Sequence, residues 1–273
     1  MNNKKKWFAT PYVIWSGAFI IIPLIMVIYY GLTNGNHALD FSNLSLITDE
    51  VNRKALFLSL RLSLISTIVC LLLAYPLALI LRNMNIKSNA FIVTIFILPM
   101  WMNFLLRTIA WQNILEKTGV LNGILNFFNL PSVHIINTQT AIVLGMVYNF
   151  LPFMILPIYN VLVKIDQNII NAAKDLGANQ FQTFSKIILP LSMPGVISGI
   201  TMVFVPSLTT FAISSILGGN KVLLIGNIIE QEFLTKSNWH SGSGLSLVLM
   251  VFILISMTFV TKYDKEAEGT NVW

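Results

Sequence analysis

Charged residues are scarce in this sequence: Asp, Glu, Lys and Arg supply 10% of its 273 positions, under half of the roughly 25% of an ordinary globular chain. A water-soluble protein of this length needs far more polar surface. With 55% of residues hydrophobic, the composition excludes a soluble globular domain and points to a polytopic membrane protein. The net charge of +6 arises from 17 Lys and Arg against 11 Asp and Glu. So small an excess in so apolar a chain fits membrane topology and not nucleic acid. Cysteine is nearly absent: Cys70 stands alone, so the chain forms no intrachain disulfide and no thiolate metal cluster. No G-x-x-x-x-G-K-[ST] loop occurs. The run ending at Lys221 is too short and continues with Val222, which lacks the hydroxyl that holds Mg2+. H-E-x-x-H, C-x-x-C and G-x-S-x-G are missing as well. His37, His134 and His240 lie far apart in stretches read as outer loops, where each is expected to be solvated. The chain is therefore expected to hold no catalytic residue, no metal and no cofactor of its own.

What is abundant is long apolar sequence. From Trp7 to Leu39 there is no Asp, Glu, Lys or Arg, and Val13 to Leu32 is densely apolar. That block is long enough to cross a bilayer, lacks a small-x-small cleavage site and precedes further apolar runs, so it reads as a first span and not a signal peptide. Five more follow, giving expected spans at 13–32, 56–81, 91–111, 140–163, 190–217 and 244–261 of one transmembrane domain, 1–273. Six crossings put both termini on one side. Lys and Arg near the span ends choose that side. With the N-terminus inside, the cytoplasmic segments hold Lys4, Lys5, Lys6, Arg82, Lys87, Lys164, Lys174, Lys186, Lys262 and Lys265, against Arg53, Lys54, Lys117, Lys221 and Lys236 outside. The expected topology is N-in, C-in. Of the outer loops, 112–139 contains LNGILNFF, which suits a short helix at the surface.

The inner loop 164–189 is patterned. After Asp166, a good N-cap, Ile165, Ile169, Ala172, Ala173 and Leu176 recur at helical spacing and make one apolar stripe. Gly177 stands where a C-cap glycine turns the chain. A second amphipathic stretch carries Phe181, Phe184, Ile187 and Ile188, and Pro190 enters the fifth span. Two short helices joined by a glycine elbow form a protrusion suited to receive force from a soluble partner; a helix resting on lipid headgroups has the same periodicity.

The stretch 171–195, NAAKDLGANQFQTFSKIILPLSMPG, resembles the EAA loop of binding-protein-dependent ATP-binding-cassette importer permeases. The matches fall on Ala172, Ala173, Leu176, Gly177, Ala178, Phe184, Leu189, Pro190, Pro194 and Gly195, and the family's glutamate falls on Asn171. The resemblance implies that these residues couple the chain to an ATPase, with Asn171 offering a neutral contact where the family has a charge. It extends from about Val13 to Thr261. SLRLSLIST, LAYPLALILR, LPMWMNFLLRTIAWQNIL, LPFMILPIYNVLVKID and LLIGNIIEQEFLTKSNWHSGSGLSLVLM are similar to the B-type permeases of the spermidine/putrescine subgroup. The resemblance implies an all-α, six-helix, type I (MetI-like) importer fold in a bacterial cytoplasmic membrane. It also implies a homologous C-type permease, two copies of a cassette ATPase that carry the ATP and Mg2+, an extracytoplasmic binding protein, and a polyamine substrate. Permeases for sulfate, molybdate, iron or opines share much of the pattern. A secondary carrier or a membrane adaptor is the reading from other classes, but neither gives the patterned loop a comparable purpose.

Polar residues inside the spans offer a route. Trp101, Asn103, Tyr148, Asn149, Thr209, Thr210 and Ser214 are candidates to line it, each also suited to bonding between helices. Trp101 could stack on an alkyl-ammonium, whereas Trp111 reads as an interfacial anchor. Arg61 and Arg107 near span ends fit either snorkelling or a pathway role. Every Asp and Glu falls in a loop or tail. Glu230 and Glu232 therefore either receive substrate at the mouth or form a solvated face.

Overall fold

The computed structural model describes residues 11–36, 38–83, 98–219 and 221–269. Among them the regular structure is helical, apart from an isolated antiparallel bridge between Thr33 and Leu39. In chain order the principal helices are α1 (Pro11–Gly31), α2 (Glu50–Asn83), α3 (Phe104–Leu115), α4 (Val120–Phe127), α5 (Gln139–Leu162), α6 (Gln167–Asp175), α7 (Gln180–Thr209), α8 (Ala212–Gly218), α9 (Ile225–Glu230) and α10 (Trp239–Gly269). Five of the described helices, α1, α2, α5, α7 and α10, are long and apolar enough to cross a membrane.

Four expected spans meet these helices with shifted ends. The second begins earlier than residue 56 because Glu50, Lys54 and their neighbours add helical turns, with Glu50 and Lys54 paired four residues apart. The sixth runs beyond 244–261 in both directions. The expected third span, 91–111, is not one helix. Residues 91–97 lie outside the described residues. Beyond them the chain makes a short 3-10 turn, Leu98–Trp101, and restarts at Phe104. Asn103 causes the restart: its Oδ1 accepts from the Leu105 and Leu106 amides at 2.9 and 3.3 Å, an N-cap that apolarity alone does not announce.

The expected fifth span, 190–217, is also divided. Helix α7 stops at Thr209, Thr210 is extended with ψ 138°, and α8 starts at Ala212. Side chains stabilise the break: Asn227 Nδ2 donates to the Phe211 carbonyl at 3.1 Å, and Gly226 packs so closely that a Cβ there would lie 2.8 Å from the Thr209 carbonyl oxygen. At its other end α7 is longer than expected. The stretch around Phe181 and Phe184 is no separate helix; it continues through a π-turn, Phe184–Ile188, into the span. There the Leu189 amide reaches back to the Phe184 carbonyl, and the wider turn accommodates Pro190, which has no amide to donate.

The described contacts form two compact units, Met1–Ala55 with Ile228–Leu254, and Leu56–Asn227 with Ile255–Trp273. In the first, Ala55, Ile228 and Leu245 make a small core with Leu46 and Ile47. His240 is not solvated there: its Nδ1 faces the Thr33 and Tyr30 carbonyls at 2.7 and 3.0 Å, so that nitrogen carries the proton. Glu232 is no solvated face either. It is buried and accepts from Lys236 Nζ at 2.6 Å.

The second unit is built around α5, whose Met146, Met154, Ile155, Ile158 and Leu162 are fully enclosed. Against it lies one face of α7: Ser192, Gly195, Val196, Gly199 and Val203, at three- and four-residue spacing. Gly195 and Gly199 form a small-xxx-small pair that lets two backbones approach. A Cβ on Gly195 would fall 2.8 Å from the Pro157 carbonyl and 3.1 Å from Ile158 Cα, whereas one on Gly199 would first meet the Met154 sulfur at 2.6 Å. A backbone carbonyl cannot swing aside, but a methionine side chain can. Gly195→Ala is accordingly expected to destabilise the protein by about 1–3 kcal/mol, the range for overpacking, and Gly199→Ala by clearly less. Thermal unfolding of the purified variants checks this; equal midpoints for the two would contradict the close crossing at Gly195.

Candidate functional site

Helix α6 and the start of α7 form an elbow. Asp166 caps α6 by accepting from the Asn168 amide at 2.9 Å. The expected single apolar stripe divides into two faces. Of its members on α6, Ala173 points inward and is buried, beside Ile170, which the stripe did not include; Ile169, Ala172 and Leu176 face outward, with Leu176 90% exposed. The helix ends in a Schellman motif: the Ala178 amide donates to the Ala173 carbonyl at 3.0 Å and the Gly177 amide to Lys174 at 2.9 Å. Gly177 sits at φ +83°, as its place in the sequence predicts. Immediately after, Asn179 opens α7 with a capping box, its Oδ1 accepting from the Gln182 amide at 2.8 Å while Gln182 Oε1 accepts from the Asn179 amide at 2.9 Å. Both strands of the elbow are thus bonded, with Ala178 between them. Phe181, one turn on, is 76% exposed. A cleft of about 290 Å3 beside the turn is lined by Leu176, Gly177, Ala178, Gln182, Lys186 and Ile187.

The elbow is tied to the membrane helices by a short chain of contacts. The Phe184 ring meets Tyr75 of α2 edge to face at 5.8 Å. Ser192 donates to the Leu189 carbonyl at 2.9 Å, so Tyr75 is the donor in its 2.7 Å bond to the Ser192 hydroxyl. Arg82, at the end of α2, donates to the Ile165 carbonyl at 3.2 Å. Of the sequence candidates, Phe184 and Leu189 therefore pack toward the core, Pro194 is half-buried, Gly195 lies in the α5–α7 crossing, and Pro190 is exposed. Asn171 is exposed, and its Oδ1 accepts from Gln167 Nε2 one turn earlier at 3.3 Å. Tyr75 and Ser192 escape a reading by spacing, because nothing local marks two residues on different spans as partners.

The candidate pathway residues separate into three groups. Trp101 is 80% exposed beside the break before α3, and Asn103 caps that helix. Tyr148 is exposed and meets the Trp111 ring at 5.3 Å; Thr209 is exposed and Thr210 half-buried at the α7 break. Asn149 and Ser214 are buried. Asn149 Nδ2 donates to the Gly145 carbonyl at 2.9 Å, and Ser214 donates to Asn227 Oδ1 at 2.6 Å. Asn227, unremarked in its apolar surroundings, uses its whole amide: Oδ1 also accepts from the Leu224 amide at 3.1 Å, and Nδ2 also donates to Ser215 at 2.8 Å. The two arginines differ. Arg61 is exposed, whereas Arg107 is 8% exposed with no partner for its Nε among the described residues. No cluster of three or more potential metal ligands occurs among the described residues. The elbow thus offers an adhesive surface and not reactive groups: covering Leu176 or Phe181 would contribute roughly 1.5–3 kcal/mol each.

Open space surrounds the position a Gly177 Cβ would take, so only backbone conformation penalises substitution. Gly177→Val is expected to weaken the turn by about 1–2 kcal/mol, and Gly177→Asn by less, since Asn tolerates this conformation. Amide hydrogen exchange at Ala178 should then quicken roughly tenfold in the Val variant; equal rates in all three proteins would contradict the positive-φ turn.

Residues 71–266 match the family of binding-protein-dependent transport system inner membrane components. The chain is 36% identical over 264 residues to the spermidine/putrescine transport system permease protein PotB of Haemophilus influenzae, covering 93% of this chain and 92% of that protein. It is 34% identical over 245 residues to PotB of Escherichia coli, covering 87% and 89% respectively. In fold it is similar to a chain of a bacterial transporter that imports the acidic polysaccharide alginate, with a TM-score of 0.80 at 17% identity and 96% of each chain covered. The elbow, the membrane-spanning helices and these likenesses agree: the chain is a multi-pass bacterial inner-membrane protein and belongs to the binding-protein-dependent transport system inner membrane components.

Proposed function

We propose that this chain is one permease half of an ATP-driven importer of polyamines, with spermidine or putrescine as substrate. The carrying observation is the exposed apolar face of the elbow, Ile169, Ala172, Leu176 and Phe181, on a turn bonded at both ends. A water-exposed patch of this kind beside a membrane needs a cover. The cover is a cassette ATPase, two copies serving two permeases and supplying the ATP and Mg2+ chemistry for which the chain has no motif. Asn171 lies on the same helix and meets that ATPase through a neutral amide. The elbow is cytoplasmic, the chain crosses six times, and both termini lie inside, in keeping with the lysine and arginine distribution.

The second permease is a homologous C-type chain, and an extracytoplasmic binding protein delivers the substrate. Support for the polyamine comes from the relatives named for spermidine and putrescine, which match nearly the whole chain. Trp101, Tyr148, Thr209 and Thr210 are the residues of this half that face the path, offering rings, hydroxyls and carbonyls. ATP binding and release bias two states of the paired permeases, open to one side or the other.

Sealed vesicles holding the assembled complex test the reading. Spermidine uptake is expected to require ATP and the binding protein. Leu176→Asp should lower both uptake and ATPase retention about tenfold or more, at unchanged insertion, because it removes apolar burial and places a charge in the contact. Full uptake by the Leu176→Asp complex would overturn the elbow's role, and ATP-driven uptake of a different solute with none of spermidine would overturn the substrate.

A further inference from the structure

A cavity of about 430 Å3 opens where the last turns of α2, the inner face of α6 and the first turns of α7 meet. That volume falls in the roughly 300–1,000 Å3 range of small-molecule sites. Its lining changes character along the helix axes. Leu79 and Arg82 both line it, and Arg82 lies three residues, about 4–5 Å, nearer the end of α2. On α7, Gln180 lines it in the first turn and Ile188 eight residues, about 12 Å, deeper. On α6, Ile170 and Lys174, one turn apart, both line it, so an apolar and a cationic side chain follow one another on that helix too. No acidic residue lines the cavity, and no carboxylate pairs with Arg82 or Lys174 among the described residues. Arg82 uses one N–H for the Ile165 carbonyl, and its remaining donors have no partner among the described residues.

We infer that this cavity binds an anionic phospholipid of the surrounding leaflet, its phosphate held by Arg82 and Lys174 and the start of an acyl chain laid on Leu79, Ile170 and Ile188. The chemistry shared with any phosphate is charge-assisted bonding to a guanidinium and an ammonium. The apolar wall decides between sources. A free phosphate gains nothing from three aliphatic side chains, whereas a lipid is apolar at one end and charged at the other in the same order as the cavity. The site also lies at the ends of two helices long and apolar enough to cross a membrane, within reach of a leaflet's headgroups. A lipid held there bridges α2, α6 and α7, and so braces the elbow whichever solute the protein carries.

The assembled complex, purified in mild detergent and supplied with phosphatidylglycerol or phosphatidylcholine, tests this by native mass spectrometry. Wild type is expected to retain phosphatidylglycerol roughly tenfold better than phosphatidylcholine, the effect of about one charge-assisted bond. Lys174→Gln and Arg82→Gln should each abolish most of that preference, and Lys174→Arg should keep it. Leu79→Trp, which fills the apolar wall, should reduce lipid retention with both charges intact. If Arg82→Gln fails to fold through loss of the Ile165 contact, Lys174→Gln decides, since Lys174 is exposed. Equal retention of the two lipids, an unchanged preference in Lys174→Gln, or displacement of the lipid by excess inorganic phosphate would each overturn the inference. So would loss of ATPase from Lys174→Gln with lipid retention unchanged, which would assign these cations to an acidic protein surface.

Discussion

At Gly195 the backbone of α7 lies against the Pro157 carbonyl of α5, closer than any side chain would permit. Much of the second unit depends on that crossing. Lipid chains are as apolar as leucine, so helices in a bilayer gain little from burying aliphatic surface against each other and rely on close packing instead. Glycines at 195 and 199 provide it along one stripe, with the serine hydroxyl of Ser192 one turn before them bonded to Tyr75. The crossing holds α7 along its length against the most enclosed helix of the unit. The elbow at one end of α7 and the break at the other therefore belong to one element, a helix of 30 residues, about 45 Å long.

Much of this was legible from residue order, and the misses have physical causes. Apolar length located the four spans that meet single long helices, because the bilayer sets that length. The glycine turn was legible because only a few residue types accept φ +83° at a helix end. The two interrupted spans were hidden, since Asn103 and Thr210 interrupt runs whose mean apolarity stays high. A cap is a local hydrogen bond and leaves no mark on hydropathy. The boundary between the elbow and the fifth span was misplaced because proline normally stops a helix, and the π-turn before Pro190 lets this one continue. Asn227 could have been flagged as an amide in an apolar run, but its four partners come from α8, its flanks and the turn between them, which no spacing rule connects. Similarly, the stripe on α6 was visible as a period, while its division into a packed face and an open face depends on what lies behind it.

The scarcity of acid in the spans gains meaning beside the proposed substrate. On the proposed route, a polycation would meet ring faces, hydroxyls and the carbonyl end of α7, which are dipoles and not charges. The negative end of a helix attracts a cation by fractions of a kcal/mol to about 1 kcal/mol where exposed, enough to guide and too little to trap. Buried Arg107 repels a cation at any distance shorter than the screening length, so the favourable route lies away from it. On this proposal, energy for transport comes from the change in shape and not from tight binding along the way, which returns the burden to the elbow and to α7.

The central claim is that α7 acts as one stiff element from the elbow to Thr209, despite its π-turn and prolines. Buried Cys70 leaves cysteines introduced at Gln180, outside the proposed ATPase contact, and Met202, both exposed, as the positions that take a spin label. Their backbones are separated by 22 residues of helix, about 33 Å. In the assembled complex, electron-electron double resonance should give one narrow distance distribution, the same with and without bound ATP. A second population, or a shift of several ångströms on adding ATP, would instead place a hinge inside α7 and contradict its role as a rigid connection.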